Sequence, residues 1–348
     1  MSGRGDSWIQ YSRSILMGDP AFFSIKKGAN PHTRNRLGFR KKVDHKKAFL
    51  QWHTMAQTLM RYGVQIFVIP PHPELPGLVF PANAGFVPSV EKPFPLSRKE
   101  FVLANPGSAR TAEKEIYREY IQNLGLKVST ITTQFEGEAD LIPWGSDRFL
   151  FNYGKIRKQR FIPRIGIPPW KRVYGFRSDK KAVEELSRRV SPDRVLSLEL
   201  AQEDFYHGDT VFCSFGPKRE YLLAYQAGLK EEAHQILSKE KNVIWISDED
   251  AREFAANSFQ VIHQGKCVLF MPHGVSPELR EQIEKRGVET VPVDVSEFLL
   301  KGGGSVKCLL GDLGVWMDDQ NADDTAKKFR DHHLYRHYFA NRPCAHRF

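Results

Sequence analysis

The stretch FYHGDT places His207 two positions before Asp209, directly after an apolar run at residues 195–200. A His-x-Asp pair serves as a catalytic pair, as two metal ligands or as a polar turn. Cys308 lies in KGGGSVKCLLGD, where three glycines, Gly302, Gly303 and Gly304, precede a short apolar strand with the cysteine at its end. Such glycines let backbone and ligand approach without Cβ clashes and offer N–H groups to developing negative charge. A buried structural cysteine is the alternative. A nucleophilic thiol needs a neighbouring acid or base, usually histidine, and Cys308 and His207 both sit at strand ends that suit one central cleft. FEGEAD supplies Glu136 at a similar strand end, where a carboxylate would orient His207 or hold a cationic substrate. The competing reading makes Glu136, Glu138 and Asp140 a solvated acidic turn. Asn83, in FPANAG, is an ordinary turn residue that gains weight only beside the others.

The other cysteines and histidines read as structural. Cys213 and Cys267 lie inside apolar strands (TVFCSF, KCVLFM) and belong to the core, and Cys344 is an incidental thiol near the C-terminus. With no C-x-x-C and no close pair, neither a zinc ribbon nor a disulfide framework is expected. A reduced, cytoplasmic setting is the simplest reading. The histidines of DHHLYRH, residues 331–337, read as an exposed helix face, because no acidic or thiol partner keeps ligand spacing.

The elements that must position these groups recur in one pattern across the 348 residues. An apolar strand is followed by an amphipathic helix and then by further strands. The first unit has a strand at 15–25, a helix at 44–62 with Ala48, Phe49, Trp52, Met55, Ala56 and Leu59 at helical spacing, Gly63 as C-cap, and a strand at 64–69. The second runs EFVLAN, helix 112–124, KVSTITT, RFLFNYG. The third runs RVYGF, helix 179–190, RVLSLEL, TVFCSF. The fourth runs EYLLAY, helix 230–238, NVIWIS, SFQVIH. The fifth runs KCVLFM, helix 277–287, VETVPV, SVKCLL. Five β-α-β-β units define an α/β chain. Units that cannot bury an apolar face alone can do so in a ring, strands inside and helices outside. A doubly wound sheet is the alternative. Residues 70–81 are too proline-rich for a central strand and read as a rigid connection.

Composition bounds the rest. Hydrophobic residues make up 41% and charged residues 26%, enough for a substantial core. The net charge of +10 suits nucleic acid, but no Lys/Arg block is long or aromatic-interleaved enough for a dedicated footprint, and no nucleic-acid partner is expected. No run approaches the ~18 apolar residues of a membrane helix, and MSGRGDSWIQ has no apolar signal core.

FEGEAD, FYHGDT and GGGSVKC occur in that order, with VFPANAG upstream. In this the chain resembles the guanidino-group modifying enzymes of the pentein superfamily: arginine deiminase, dimethylargininase, arginine dihydrolase and the amidinotransferases. The resemblance extends to about residue 318. It implies a five-bladed αβ-propeller forming one catalytic domain over 1–318, with a polar tail at 319–348.

The resemblance also implies roles. Cys308 would attack the guanidinium carbon. His207 would move protons to the leaving amine and from the hydrolytic water, with Glu136 beside it. Asp209 would grip the guanidinium. Asn83 falls where arginine deiminases carry a second carboxylate. Arg177, in YGFRSD, would hold the substrate α-carboxylate, and Arg110, in GSARTAE, is a weaker match for that task. The EGEAD spacing departs from the EGG-D pattern, so no binding role is assigned to Asp140. Carboxylates opposite its N–H groups fix a planar guanidinium by charge-assisted bonds, and the bound cation lowers the thiol pKa. This chemistry asks for no metal and no organic cofactor. The partner is a small guanidino substrate; a homo-oligomer stays open. Asn83 in place of an acid points to arginine dihydrolase, which yields ornithine, CO2 and ammonia. The alternatives are a deiminase or dimethylargininase giving citrulline, an amidinotransferase, and the non-catalytic ribosome-binding branch, which the joint presence of Cys308, His207, Glu136 and Asp209 disfavours.

Overall fold

A computed structural model describes residues 12–26, 30–35, 37–107, 110–158, 160–162, 171–190, 194–317 and 323–340. Five small sheets repeat one topology: a strand pairs antiparallel with the next, which pairs parallel with a third reached through a helix. Parallel neighbours require such a crossover, and antiparallel ones need only a tight turn. In the second sheet Gly85–Phe86 pairs with Glu100–Leu103, which pairs with Lys127–Thr130. The third joins Leu141–Trp144, Arg148–Tyr153 and Val195–Glu199. The fourth joins Phe212–Phe215, Tyr221–Ala224 and Val243–Trp245, and the fifth Phe259–His263, Lys266–Pro272 and Val288–Val293. The fifth sheet's hairpin turns on Gln264 and Gly265, both at positive φ (49° and 77°), the two-residue turn whose twist matches the strands.

The first sheet closes the ring. Ser12–Gly18 pairs parallel with Gln65–Ile69 and antiparallel with Gly311–Met317, so strands from the two ends of the propeller share one sheet. The helices lie outside. Trp52, Met55 and Leu59 of His45–Arg61 pack in one cluster with Phe270 and Val261 of the fifth sheet. Each such side chain contributes about 1.5–3 kcal/mol on burial.

The structure changes several sequence expectations. The first strand stops at Gly18, because Asp19 caps a 3-10 turn at Pro20–Phe22. RVYGF does not open the third sheet: Lys171–Val173 pairs with Arg160–Ile162 in a separate ribbon, and RFLFNY takes its place. Leu141–Trp144 is an additional strand. SVKCLL is not a strand; Cys308 sits in a 3-10 turn, Lys307–Leu309, just before the closing strand. Residues 70–81 do form a connection, with a 3-10 turn at Pro76–Val79. Cys213 and Cys267 are buried core residues, as expected, while Cys344 lies outside the described residues. Beyond the propeller, Asp324–His333 and Tyr335–Ala340 are helices. Their histidines 332 and 337 are exposed, but Tyr335 and Tyr338 are buried, and the Tyr335 hydroxyl lies 2.6 Å from His53 Nδ1.

Candidate active site

Each step from one sheet to the next ends in a short turn, and these turns meet around one axis. Pro81–Asn83 touches Gly137–Ala139 on one side and Lys307–Leu309 on the other, and Gly137–Ala139 touches Gly208–Thr210. Close approach dictates local sequence. Gly137 has φ 68°, and a Cβ there would stand 2.6 Å from the Ala82 carbonyl oxygen. The turns therefore deliver Asn83, Glu136, His207 and Cys308 to one place, where all four line a cavity of about 240 Å³.

His207 is buried between acids. Its Nδ1 lies 3.2 Å from Asp140 Oδ2 and its Nε2 3.2 Å from Glu136 Oε2. Burial pulls the imidazole pKa down, but the two carboxylates outweigh it and raise it to about 9. Glu136 falls correspondingly to about 2: burial pushes it up, but His207, Arg177 and Arg110 prevail. Asn83 makes an opposing demand, since its Nδ2 lies 3.1 Å from the same Nε2 and 3.4 Å from Glu136. Arg110 donates to Asn83 Oδ1, which turns the amide nitrogen toward the ring. A charge pair at ~4 Å is worth roughly 4 kcal/mol at an effective dielectric near 20, against about 1 kcal/mol for a neutral hydrogen bond, so the imidazolium facing Glu136 prevails.

Cys308 Sγ lies 3.4 Å from Asp209 Oδ2 and 3.2 Å from Asn257 Nδ2. Burial, and then the Asp209 charge, push the thiol well above its ordinary pKa, so it rests neutral. Burial raises Asp209 to about 6 against the pull of His207 and Lys307. Its Oδ1 is buried with no hydrogen-bond partner among the described residues. Asp209 does not line the large cavity. It stands behind the thiol, on a second cavity of about 50 Å³ shared with Glu138, Lys307 and Asp312.

The acidic turn is not solvated. Glu136, Glu138 and Asp140 are all buried. Asp140, to which the sequence reading gave no role, accepts from Gly208 N at 2.9 Å and from Ser178 Oγ at 2.5 Å while facing His207. Glu138 pairs with Lys307 Nζ at 2.8 Å, and burial raises it to about 7. The triple glycine also works differently from the expectation. Gly303 N–H caps the helix Ser296–Gly302 by donating to the Phe298 and Leu299 carbonyls. A Cβ on Gly304 would stand 2.6 Å from the Phe80 ring, so this glycine admits an aromatic wall beside Cys308.

Of the arginines, Arg177 lines the cavity with its guanidinium 4.9 Å from the Tyr206 ring centroid. Arg110 lines it too, but its donors are engaged by Glu113 Oε2 at 2.8 Å, by the Gly77 and Phe80 carbonyls at 2.8 and 3.0 Å, and by Asn83. It braces Asn83 instead of offering a free fork to a carboxylate. Two further residues escaped the sequence reading. Asn30 donates to Tyr206 Oη and the Gly302 carbonyl at 3.0 and 2.8 Å, and its buried Oδ1 has no partner among the described residues. Asn257 is fully buried against Cys308. Among the described residues no group of three or more His, Cys, Asp or Glu side chains is arranged to hold a metal ion, and no helix is long and apolar enough to cross a membrane.

Comparison with known proteins agrees with this architecture. The family profile of eukaryotic N,N-dimethylarginine dimethylhydrolase matches residues 174–314. The chain is 29% identical over 299 residues to N(G),N(G)-dimethylarginine dimethylaminohydrolase of Mycobacterium tuberculosis, covering 85% of this chain and 84% of that one. It is 27% identical to the bifunctional arginine dihydrolase/ornithine cyclodeaminase AgrE of Nostoc, covering 85% of this chain but 37% of the relative. The N-terminal domain of ArgZ, a cyanobacterial arginine dihydrolase solved with its substrate, superposes with a TM-score of 0.70 at 24% identity, over 88% of this chain and 99% of that one. The fold is thus the five-bladed αβ-propeller of the penteins. In sequence the chain is similar to a dimethylarginine dimethylaminohydrolase and to an arginine dihydrolase, and it shares the fold of the latter's relative ArgZ.

Proposed function

We propose that the chain is a cysteine-dependent hydrolase of guanidino C–N bonds, acting on arginine or an arginine-like substrate in the manner of an arginine dihydrolase. The observation that carries the dihydrolase reading is the amide of Asn83, held by Arg110 and facing both His207 and Glu136 where a deiminase has an acid. A neutral amide grips a cation less tightly than a carboxylate and tolerates a neutral ureido group, so the product of a first hydrolysis stays for a second.

The substrate guanidinium donates to Glu136 in the large cavity and reaches past Cys308 toward Asp209, whose Oδ2 lies 3.4 Å from Sγ, and Arg177 receives the α-carboxylate at the cavity wall. The incoming cation offsets the Asp209 charge that holds the thiol neutral, and Cys308 ionises by releasing its proton to solvent, since His207 is already protonated. Sγ attacks the guanidino carbon. The C–N bond breaks, and protonated His207 gives its Nε2 proton to the departing ammonia. His207, now neutral, takes a proton from water, whose oxygen attacks the covalent thiouronium carbon and releases the thiolate. A second round on the ureido carbon completes the balance: arginine and two waters give ornithine, CO2 and two ammonia. The free thiol suits the reducing cytoplasm, and a homo-oligomer is compatible with the chemistry.

Dimethylargininase is the second reading, favoured by the match over residues 174–314 and by the mycobacterial relative. Product analysis with arginine, dimethylarginine, agmatine and guanidinoacetate separates the two. Ornithine without accumulated citrulline supports the dihydrolase; inert arginine overturns it.

A further inference from the structure

Four of the five sheet-to-sheet steps supply a residue to the reaction centre: Asn83, Glu136, His207 and Cys308. The step from the fourth sheet to the fifth ends in FAANSF and carries Asn257 two positions before the strand Phe259–His263, as Asn83 stands two before Gly85–Phe86. Asn257 is 0% exposed, and its amide is fully used. Oδ1 accepts from Ser305 N at 3.2 Å and Cys308 N at 3.1 Å, while Nδ2 donates to the Asp209 carbonyl at 3.1 Å and to Cys308 Sγ at 3.2 Å. Two backbone donors on Oδ1 fix the amide's orientation, because a flipped amide would set N–H against N–H. The N–H therefore has to face the sulfur.

We propose that Asn257 is a catalytic residue, the fifth member of the ring of turns, whose amide N–H stabilises the Cys308 thiolate and whose carbonyl fixes the backbone that aims it. This rests on Cys308 being the nucleophile. The oxyanion-type logic applies to sulfur: a preorganised donor in a buried site favours the charged form more than water-exposed donors do. The Ser305 backbone also favours the thiolate, but Asn257 is the side chain that does so, since Asp209 faces the thiol with a carboxylate oxygen.

Asn257→Asp keeps the shape and the acceptor but puts an oxygen where the N–H meets the sulfur. Iodoacetamide alkylation of Cys308 in the ligand-free enzyme, followed by mass spectrometry of the Cys308 peptide across pH, reads thiolate population directly. The expected result is a rate lower by about tenfold or more at fixed pH, equivalent to a rise of about one pKa unit, with kcat falling in parallel and KM within about threefold. An unshifted alkylation profile overturns the proposal. Asn257→Ser, which shortens the side chain away from Sγ, decides the matter if circular dichroism shows that Asn257→Asp does not fold; slowed alkylation supports the proposal, and wild-type alkylation overturns it. Cys308→Ser assayed in parallel separates the two levels: retained turnover there removes the nucleophile assignment itself.

Discussion

At the scale of single residues, the site pairs a neutral thiol with a protonated imidazole. His207 is lifted to about 9 by Asp140 and Glu136 against the pull of burial, and Asp209 is lifted to about 6 by burial. The proposed mechanism needs Asp209 ionised and His207 protonated, so kcat/KM is expected to form a bell with limbs near about 6 and about 9. Asp140→Asn tests the assignment. Losing one carboxylate lowers the imidazole pKa, so the alkaline limb moves to lower pH, and kcat is expected to fall by about 100-fold or more with KM little changed. A basic limb that stays in place contradicts the role given to Asp140. The same shift bears on stability. A histidine raised from its ordinary 6.5 to about 9 stabilises the fold fully below 6.5, and this contribution fades as pH rises through about 9. Melting temperature measured across that window is expected to decline in the wild type and to flatten in Asp140→Asn.

At the scale of elements, the turns between sheets place every reacting group. Gly137→Ala would force a side chain against the Ala82 carbonyl at a φ of 68°. The expected cost is about 1–3 kcal/mol or more, read by chemical denaturation, together with a loss of activity as Glu136 and Asp140 move. Unchanged stability contradicts the close packing of the turns. These turns also explain what was legible in the sequence. The helix His45–Arg61 was legible because Ala48, Phe49, Trp52, Met55, Ala56 and Leu59 repeat at helical spacing, and all but the half-buried Phe49 prove buried. Sheet membership was not, because a strand's partner is chosen at a distance: RVYGF and RFLFNY are equally apolar locally, yet only the second joins the third sheet. The groups Cys308, His207 and Glu136 were legible by residue type and order. Asp140 was not, since its reach to His207 exists only once Gly137–Ala139 folds into a 3-10 turn. Asn257, an asparagine in an unremarkable loop, carried no signal except its place in the repeat.

At the scale of the whole molecule, closure of the ring holds the turns together. Arg13, on the first strand, donates to Asp312 Oδ1 of the closing strand at 3.1 Å and to Glu91 at 3.1 and 3.0 Å, and Glu91 also accepts from Arg219 of the fourth sheet's hairpin at 2.6 Å. Asp312 N donates in turn to Glu138 at 2.7 Å, linking this buried network to the turn that carries Glu136. Arg13→Ala strips Asp312 of its arginine and leaves Glu91 with Arg219 alone, and a loss of about 3–5 kcal/mol in denaturant unfolding is expected. A loss below about 1 kcal/mol would mean that the network is not what closes the ring. The helices at Asp324–His333 and Tyr335–Ala340 brace the outside of the same closure, through Tyr335 on His53 and Tyr338 near Asp19. We regard them as a support of the catalytic domain at 1–318.

The central claim is that Cys308 carries the guanidino carbon as a covalent intermediate. Rapid acid quench of the enzyme turning over arginine, followed by mass spectrometry of the Cys308 peptide, tests it most directly. The expected result is an amidino adduct on Cys308 in the wild type, and no adduct or turnover in Cys308→Ser. Turnover that persists in Cys308→Ser, or an unmodified Cys308 during active turnover, would contradict it.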